Sequence, residues 1–334
     1  MIKKNEKSVV TFADVWLNHT ETRWKDHWMK KVLDKINWNK FSYRLEKLYT
    51  ADNGRPGWDP LVLFRCLILA QWYGLSDRQL EEAVEFRIDF RKFAGLRFEE
   101  EAPDATTFAV FRERILPMYD KLLRILNEQL EAAGFKIKEV VAVDATLVAA
   151  HSKPSGDFTG DEEASWRGFP AKEIIDDSGH KAIARRPALF GYKINLSASV
   201  GTGFVGALSV CRAAEHESKH LLKLLSKETR RVLADKGYYG CKKFLKALAI
   251  KDGIQDKGFR NRPLTDAQTA RNKKIAAHRV IAEGVFGSWK QWYGWIKTKY
   301  WGLEKNYLAV TLTAISWNMK KWACSDSIGA FSSA

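Results

Sequence analysis

The spacing of hydrophobic residues changes about 135 residues into the chain. Up to about Gly134, apolar positions recur at intervals of three and four, which is typical of helices that bury one face. Five helices are predicted there: Trp24–Ile36, Phe41–Leu48, Asp59–Tyr73, Asp77–Phe93 and Thr106–Ala133. Ser76 and Asp104 stand where a side-chain oxygen would cap a helix start. We therefore predict an all-helical domain over residues 1–135.

From Lys136 onward the pattern predicts strands first and then alternating elements. Three runs suit strands, namely KEVVAVDATLVAA, GYKINLSAS and FVGALSVCRA. The elements predicted after them are Lys219–Lys227 (helix), Arg231–Ala234 (strand), Lys242–Ile250 (helix), Gly253–Asp256 (strand), Asp266–Trp292 (helix) and Tyr307–Trp322 (helix). This order implies an α/β domain, a mixed sheet with helices on both faces, over residues 136–322. Residues 323–334 are small and polar, and we expect a flexible tail.

The stretch Ser152–Pro187 shows no clear periodicity. It contains three prolines, an acidic run and then a basic run. A loop of this length is either functional or disordered. We expect a mobile loop, with contact to a substrate as the alternative.

The charge of the chain indicates a polyanionic partner. The 334 residues carry a net charge of +15 with a pI of about 9.5. The last 84 residues hold 14 Lys and Arg against six Asp and Glu. The four cysteines form no CxxC pair, which argues against a zinc ribbon or a disulfide framework and fits a reducing cytoplasm. No segment has the length and apolarity of a signal peptide or a membrane span.

Two short motifs suggest other functions. GTGFVG at 201–206 matches a dinucleotide-binding pattern, but strand-like sequence follows it, so a hairpin turn is the better interpretation. HESKH at 216–220 matches the zinc-protease pattern, in which His216 and His220 would bind zinc and Glu217 would act as the base. A zinc hydrolase therefore stays as an alternative class of enzyme.

Three carboxylates lie in settings that one active site could share. Asp144 is the single charge in the apolar run VVAVDATLV, Asp235 ends RRVLAD, and Glu283 lies in the long predicted helix. Buried acids need a counter-charge, a proton or a metal. The structural alternatives are an aspartate paired with a buried cation for Asp144 and an ordinary turn residue for Asp235.

Glu283 shares one helix face with two cations. At about 100° per residue, Arg279 and Lys290 fall within about 40° of it. An ordinary helical ion pair is the alternative and contributes only about 0.2–0.5 kcal/mol. Two glycines in this helix suggest close approach by a backbone or ligand. Trp289 stands beside Lys290, an arrangement that suits base stacking as well as core packing.

The helical region offers further contacts to DNA. Gly74 separates two predicted helices in a helix-turn-helix arrangement, a pattern that non-binding bundles also show. Thr106, Thr107 and Arg112 follow the Asp104 cap and are candidates for phosphate contact. A solvated helix face explains them equally well.

Together these residues resemble the DDE transposases of bacterial insertion sequences, in the IS-five group. VAVDATLV and LADKGYYG resemble the surroundings of that family's two aspartates. The family's helix signature is Tyr, two residues, Arg, three residues, Glu, six residues, Lys. Arg279, Glu283 and Lys290 fit it, whereas Ala276 occupies the tyrosine position. The blocks around GWDPLVLFRCLILAQWYGLSDRQLEEA and PDATTFAVFRERI extend the match.

The resemblance implies a ribonuclease H-like catalytic fold and a transposase. Asp144, Asp235 and Glu283 would then hold two Mg²⁺ or Mn²⁺ ions that promote cleavage and joining of double-stranded DNA. The partners implied are the terminal inverted repeats, the target DNA and a second copy of the chain, in a homodimer. The place would be the bacterial cytoplasm, at the nucleoid. A non-catalytic or decayed DNA-binding protein is the alternative.

Overall fold

The chain divides into two compact units. The computed structural model describes residues 21–49, 57–155, 157–175, 181–184 and 186–325. One unit combines Met1–Ile137 with Thr311–Ala334, and the other comprises Lys138–Val310. The sequence pattern predicts that residues 136–322 all belong to the second domain, whereas residues from Thr311 onward belong to the first unit. The predicted tail lies almost entirely outside the described residues.

The described part of the first unit is helical. Its helices are α1 (Glu21–Lys25), α2 (Trp28–Lys35), α3 (Asn39–Glu46), α4 (Pro60–Tyr73), α5 (Asp77–Phe86), α6 (Ile88–Ala94), α7 (Ala105–Ile115) and α8 (Tyr119–Ala132). Ser76 forms a capping box with Gln79, and Asp104 accepts from the backbone N–H of Thr107, so both predicted caps are confirmed. Gly74 ends α4 in the left-handed conformation, which glycine adopts without strain.

Three predicted helices are each interrupted, because local backbone geometry breaks a continuous apolar pattern. His27 caps α2 with its own ring and so separates it from α1. Arg87 has an extended backbone between α5 and α6. A 3₁₀ turn over Leu116–Met118 contains Pro117, which lacks the N–H that a continuous helix would use.

The last helix explains why residues from Thr311 belong to the first unit. This helix spans Leu303–Ala323. The Trp72 indole N–H donates to the backbone oxygen of Ser316 over 2.8 Å. The Thr313 hydroxyl lies 2.9 Å from the side-chain oxygen of Gln71. Both contacts tie it to α4.

The second unit is built on a six-stranded mixed sheet and a separate hairpin. The strands are β1 (Val140–Ala149), β2 (Ser165–Arg167), β3 (Lys172–Ile175), β4 (Lys181–Ala184), β5 (Leu189–Ser199), β6 (Val205–Arg212), β7 (Arg231–Ala234) and β8 (Lys251–Ile254). The helices in this part of the chain are α9 (Lys242–Ala247), α10 (Asp266–Trp292) and α11 (Leu303–Ala323), of which α11 continues into the first unit from Thr311. Two 3₁₀ helices lie on either side of β7, over Glu217–Leu224 and Lys236–Cys241.

The strand order confirms the predicted ribonuclease H-like fold. β1 lies centrally, antiparallel to β5 and parallel to β7. β6 extends the antiparallel side beyond β5, and β8 extends the parallel side beyond β7. Val141 and Val143 pack with Leu221 and Leu245 on one face, whereas α10 packs against β1, β5 and β7. Asp144 alternates with Val143 and so lies on the α10 face, where it contacts a residue of that helix.

One predicted loop contains short strands, and one predicted hairpin turn is confirmed. The predicted loop Ser152–Pro187 contains β2, which pairs with β5, and the β3–β4 hairpin. Strands this short show too few alternations to be recognised from sequence. Residues 201–203 turn between β5 and β6, with Gly203 at φ 70°, so the hairpin interpretation is confirmed. No helix among the described residues is long and apolar enough to cross a membrane.

Candidate active site

Parallel pairing of β1 and β7 brings Asp144 and Asp235 to the same level of the sheet. Ala142 lies opposite Leu233 at the end of this pairing, and each aspartate is two residues further along its own strand. Asp144 is mostly buried within β1. Asp235 follows the last residue of β7 and accepts from the backbone N–H of Gly237 over 2.8 Å. The two acids therefore lie at the same level of two adjacent chain segments, near the end of β7.

Arg279 of helix α10 links Glu283, on the same helix, to Asp144. The Arg279 Nη2 atom lies 3.1 Å from Asp144 Oδ1 and 3.6 Å from Glu283 Oε1. Arg279 is buried, whereas the Glu283 side chain is 54% exposed. One guanidinium thus bridges the first and third acids.

The environment of Asp144 makes its charge costly. Burial raises the pKa of Asp144 to about 6, and the charges of Asp235 and Glu283 add to this effect. Arg279 opposes it by stabilising the carboxylate. Asp144, Asp235 and Glu283 thus outnumber Arg279, the cation that pairs with two of them.

A fourth carboxylate, that of Glu217, lies beside Asp235. Glu217 opens the 3₁₀ helix that follows β6. A methyl group built on Gly237 would lie 2.4 Å from Glu217 Oε1 and 2.9 Å from Asp235 Oδ1. Burial, and then the charge of Asp235, raise the pKa of Glu217. Sequence reasoning considered Glu217 only in the zinc motif, because nothing local indicates that it meets Asp235.

Tyr238 adds a buried hydroxyl to these acids. Its side chain is 1% exposed and packs in the core cluster with Val141 and Val143, and its hydroxyl has no hydrogen-bond partner in the part of the chain that the structure describes. Burial raises the pKa of Tyr238, and the charges of Glu217, Asp144 and Asp235 raise it further. The sequence showed this residue only as part of KGYYG.

The proposed DNA contacts on α10 differ in accessibility. Lys290 is partly exposed and remains a candidate for phosphate contact. Trp289 is 0% exposed and its ring packs against Phe286, so it belongs to the core. The expectation that Trp289 contacts DNA is corrected, because a fully buried ring offers no face to a base. Trp292, three residues on, is 67% exposed.

The candidate contacts in the helical unit also differ. Thr106 is exposed on α7 and Thr107 is partly exposed, and both remain candidates. Arg112 forms a two-pronged ion pair with Asp77, and its side chain is 13% exposed. Arg112 is therefore already committed to joining α7 to α5.

The residues of the zinc motif have separate partners. The His216 ring lies 2.7 Å from the Ser218 hydroxyl. The buried His220 ring contacts Ser209 and Glu215. Because this segment is a 3₁₀ helix with about three residues per turn, residues four apart do not share a face as they do in an α-helix.

The acids at the end of β7 suit a divalent cation. Asp144, Asp235 and Glu283 carry the carboxylate oxygens that Mg²⁺ and Mn²⁺ prefer as ligands, although among the described residues only Cys211, Glu215 and His220 bring three ligand atoms within 4.8 Å of one another. Because Gly237 has no side chain, the carboxylates of Glu217 and Asp235 can both lie against its backbone. The excess negative charge is of the kind that a bound cation relieves.

Comparison with known protein families identifies the chain as a DDE-type DNA transposase. The model of the transposase DDE domain family matches residues 136–319, and that of a transposase domain (DUF772) matches residues 18–114. A piggyBac transposase, solved as a synaptic complex with hairpin DNA, is 12% identical with a TM-score of 0.42. That alignment covers 92% of this chain and 75% of the other. The chain belongs to the transposase DDE domain family, as the resemblance implied. Its place in the IS-five group stays a prediction.

Proposed function

We propose that this transposase binds the ends of an insertion sequence, cleaves DNA phosphodiesters with a divalent metal and joins the freed 3′-hydroxyl ends to target DNA. The observation that carries the proposal is the convergence of Asp144 and Glu283 on one buried guanidinium, with Asp235 level with Asp144. The net charge of +15 supports a DNA partner. Such an enzyme acts where DNA is, at the nucleoid of a bacterial cell.

Each acid has a distinct place in the proposed chemistry. Asp144 is mostly buried and is central in the sheet, so it would hold both of two Mg²⁺ or Mn²⁺ ions. Asp235 and Glu283 would each hold one. Ions held by these residues would supply charge stabilisation for the attacking and leaving oxygens of an in-line displacement.

The cations of α10 would hold the DNA. Arg279 lies beside two of the acids, so its guanidinium is placed to contact the phosphate next to the scissile bond. Lys290, partly exposed and further along the helix, would hold a neighbouring phosphate. Thr106 and Thr107 would contribute to end binding in the helical unit. Because two ends must be joined, we propose that a homodimer forms on DNA.

The test is cleavage of a duplex that carries the element's own terminal repeat. Asp144→Asn, Asp235→Asn and Glu283→Gln should each abolish cleavage in Mg²⁺ and in Mn²⁺ while end binding in a gel-shift assay persists. Glu304→Gln, at an exposed acid on α11, is the matched control and should cleave normally. Normal cleavage by Asp144→Asn would refute the site. Specific binding by the wild-type protein without any cleavage would favour a decayed DNA-binding protein.

A further inference from the structure

The carboxylates of Glu217 and Asp235 both lie against the backbone of Gly237, where any other residue would have its Cβ. Asp235 Oδ1 and Glu217 Oε1 would both lie within 3 Å of a methyl group at Gly237. The backbone N–H of Gly237 already donates to Asp235 over 2.8 Å, which holds that carboxylate in place. Two carboxylates that lie against the same backbone repel each other, and a cation between them would relieve the repulsion. The buried Lys193 lowers the pKa of Glu217 and offsets part of this effect.

The topology brings Glu217 to this position. The 3₁₀ helix Glu217–Leu224 follows β6 and packs against β1 and against the 3₁₀ helix Lys236–Cys241 that follows β7. Leu221 and Leu224 anchor it in the core beside Val141 and Val143. Glu217, the first residue of the helix, therefore has a fixed backbone position next to the end of β7.

Tyr238 gives a second and independent indication of a ligand. Its hydroxyl is buried without a hydrogen-bond partner among the described residues, and burial, followed by the charges of Glu217, Asp144 and Asp235, raises its pKa. A buried hydroxyl without a partner is costly, and ordered water or an ion commonly accounts for one. A cation with its bound water between these acids would give this hydroxyl a partner.

We propose that Glu217 is a fourth carboxylate of the metal site and, together with Asp235, holds the divalent cation on the β7 side. This inference rests on the proposed function, since it assigns a further residue to the same metal site. It also explains the glycine at position 237, because any side chain there would push the two carboxylates apart.

The test is the affinity of the full-length protein for Mn²⁺ without DNA, measured from the free Mn²⁺ signal by electron paramagnetic resonance. Glu217→Gln should weaken binding at least about tenfold, the range found when groups around a metal site are removed. Glu217→Asp keeps the charge but withdraws the carboxylate by one methylene, and it should weaken binding too. Glu304→Gln, at an exposed acid outside both this site and the group formed by Cys211, Glu215 and His220, is the control and should bind as wild type.

Asp235→Asn separates the possible failures. If it loses Mn²⁺ while Glu217→Gln and Glu217→Asp bind with wild-type affinity, the role of Glu217 is refuted and the three-acid site stands. If wild type binds no Mn²⁺, or Asp235→Asn binds as wild type, the proposed metal site fails and the role of Glu217 fails with it. Weaker binding in both Glu217 variants, with thermal unfolding of the metal-free proteins unchanged, supports the inference.

Discussion

Arg279 places its Nη2 atom 3.1 Å from Oδ1 of Asp144, the acid at the centre of the sheet. Both side chains are mostly buried, so the guanidinium supplies the counter-charge that Asp144 needs in a low-dielectric setting. The same Nη2 atom lies 3.6 Å from Glu283 Oε1. Without metal, Arg279 thus neutralises part of the charge that a cation would otherwise balance.

Removing this guanidinium should destabilise the metal-free protein. Arg279→Gln leaves Asp144 buried without its counter-charge, and loss of one partner from a buried pair costs about 3 kcal/mol. Urea unfolding in chelator should show this loss. Saturating Mn²⁺ should raise the free energy of unfolding more in Arg279→Gln than in wild type. The bound cation stabilises the folded state and supplies the counter-charge that Asp144 has lost.

Arg279→Lys is the control for charge alone. It keeps a cation on α10 and should lose less than half as much free energy of unfolding as Arg279→Gln, although lysine lacks the planar fork of arginine. Equal unfolding midpoints for wild type and Arg279→Gln would show that Asp144 does not depend on this pair.

The raised pKa of Asp144 predicts a pH dependence of stability. Its folded-state pKa is about 6, against about 3.9 for an unfolded aspartate. The folded state therefore binds the proton more tightly, so this contribution is full below about pH 4 and is lost as pH rises through 6. At about 1.4 kcal/mol per pKa unit, the loss for metal-free protein is about 3 kcal/mol.

Urea unfolding between pH 4.5 and 7.5 measures this dependence. Subtracting the profile of Asp144→Asn removes contributions from other groups. Affinity for Mn²⁺ should change in the opposite sense and rise through pH 6, because a ligand carboxylate must be deprotonated. A wild-type stability profile parallel to that of Asp144→Asn would contradict the assignment.

The strand and helix patterns predicted much of the frame that carries the acids. Arg231–Ala234 and Asp266–Trp292 have the predicted bounds, so the positions of Asp235 and Glu283 relative to their elements were predictable. Both elements have clear starts and ends in the sequence: a β-branched and apolar run before KGYYG, and a Thr265 cap before a long helical stretch.

Contacts between distant segments were not predictable in the same way. Glu217 and Asp235 are neighbours because the segment after β6 packs against the segment after β7. The local spacing of residues does not predict this packing. The return of residues from Thr311 to the helical unit depends on partners such as Gln71 and Trp72, more than 200 positions earlier. Trp289 stands beside a lysine in the sequence, yet only packing decides that its ring is buried.

Trp289 and Trp292 should have separable roles. Trp289 is fully buried, so Trp289→Ala should lower the free energy of unfolding by about 3–5 kcal/mol. Trp292→Ala, at a side chain 67% exposed, should change it by less than about 0.5 kcal/mol and weaken binding to DNA. Urea unfolding and fluorescence anisotropy with a labelled duplex measure the two effects. Unchanged DNA affinity in Trp292→Ala would show that this exposed ring does not contact DNA.

The ion pair between Arg112 and Asp77 should contribute to stability rather than to DNA binding. The Arg112 Nη1 atom donates to Asp77 Oδ1 over 2.6 Å, and the side chains are 13% and 28% exposed. A double-mutant cycle with Arg112→Met and Asp77→Asn should give a coupling of about 1–2 kcal/mol, because a two-pronged and partly buried pair exceeds the values typical of exposed pairs. The exposed pair Lys30–Asp34 is the control, and its coupling should stay below about 0.5 kcal/mol. Arg112→Met should bind DNA as wild type wherever both are folded, whereas a loss of affinity without a loss of stability would return Arg112 to the DNA interface.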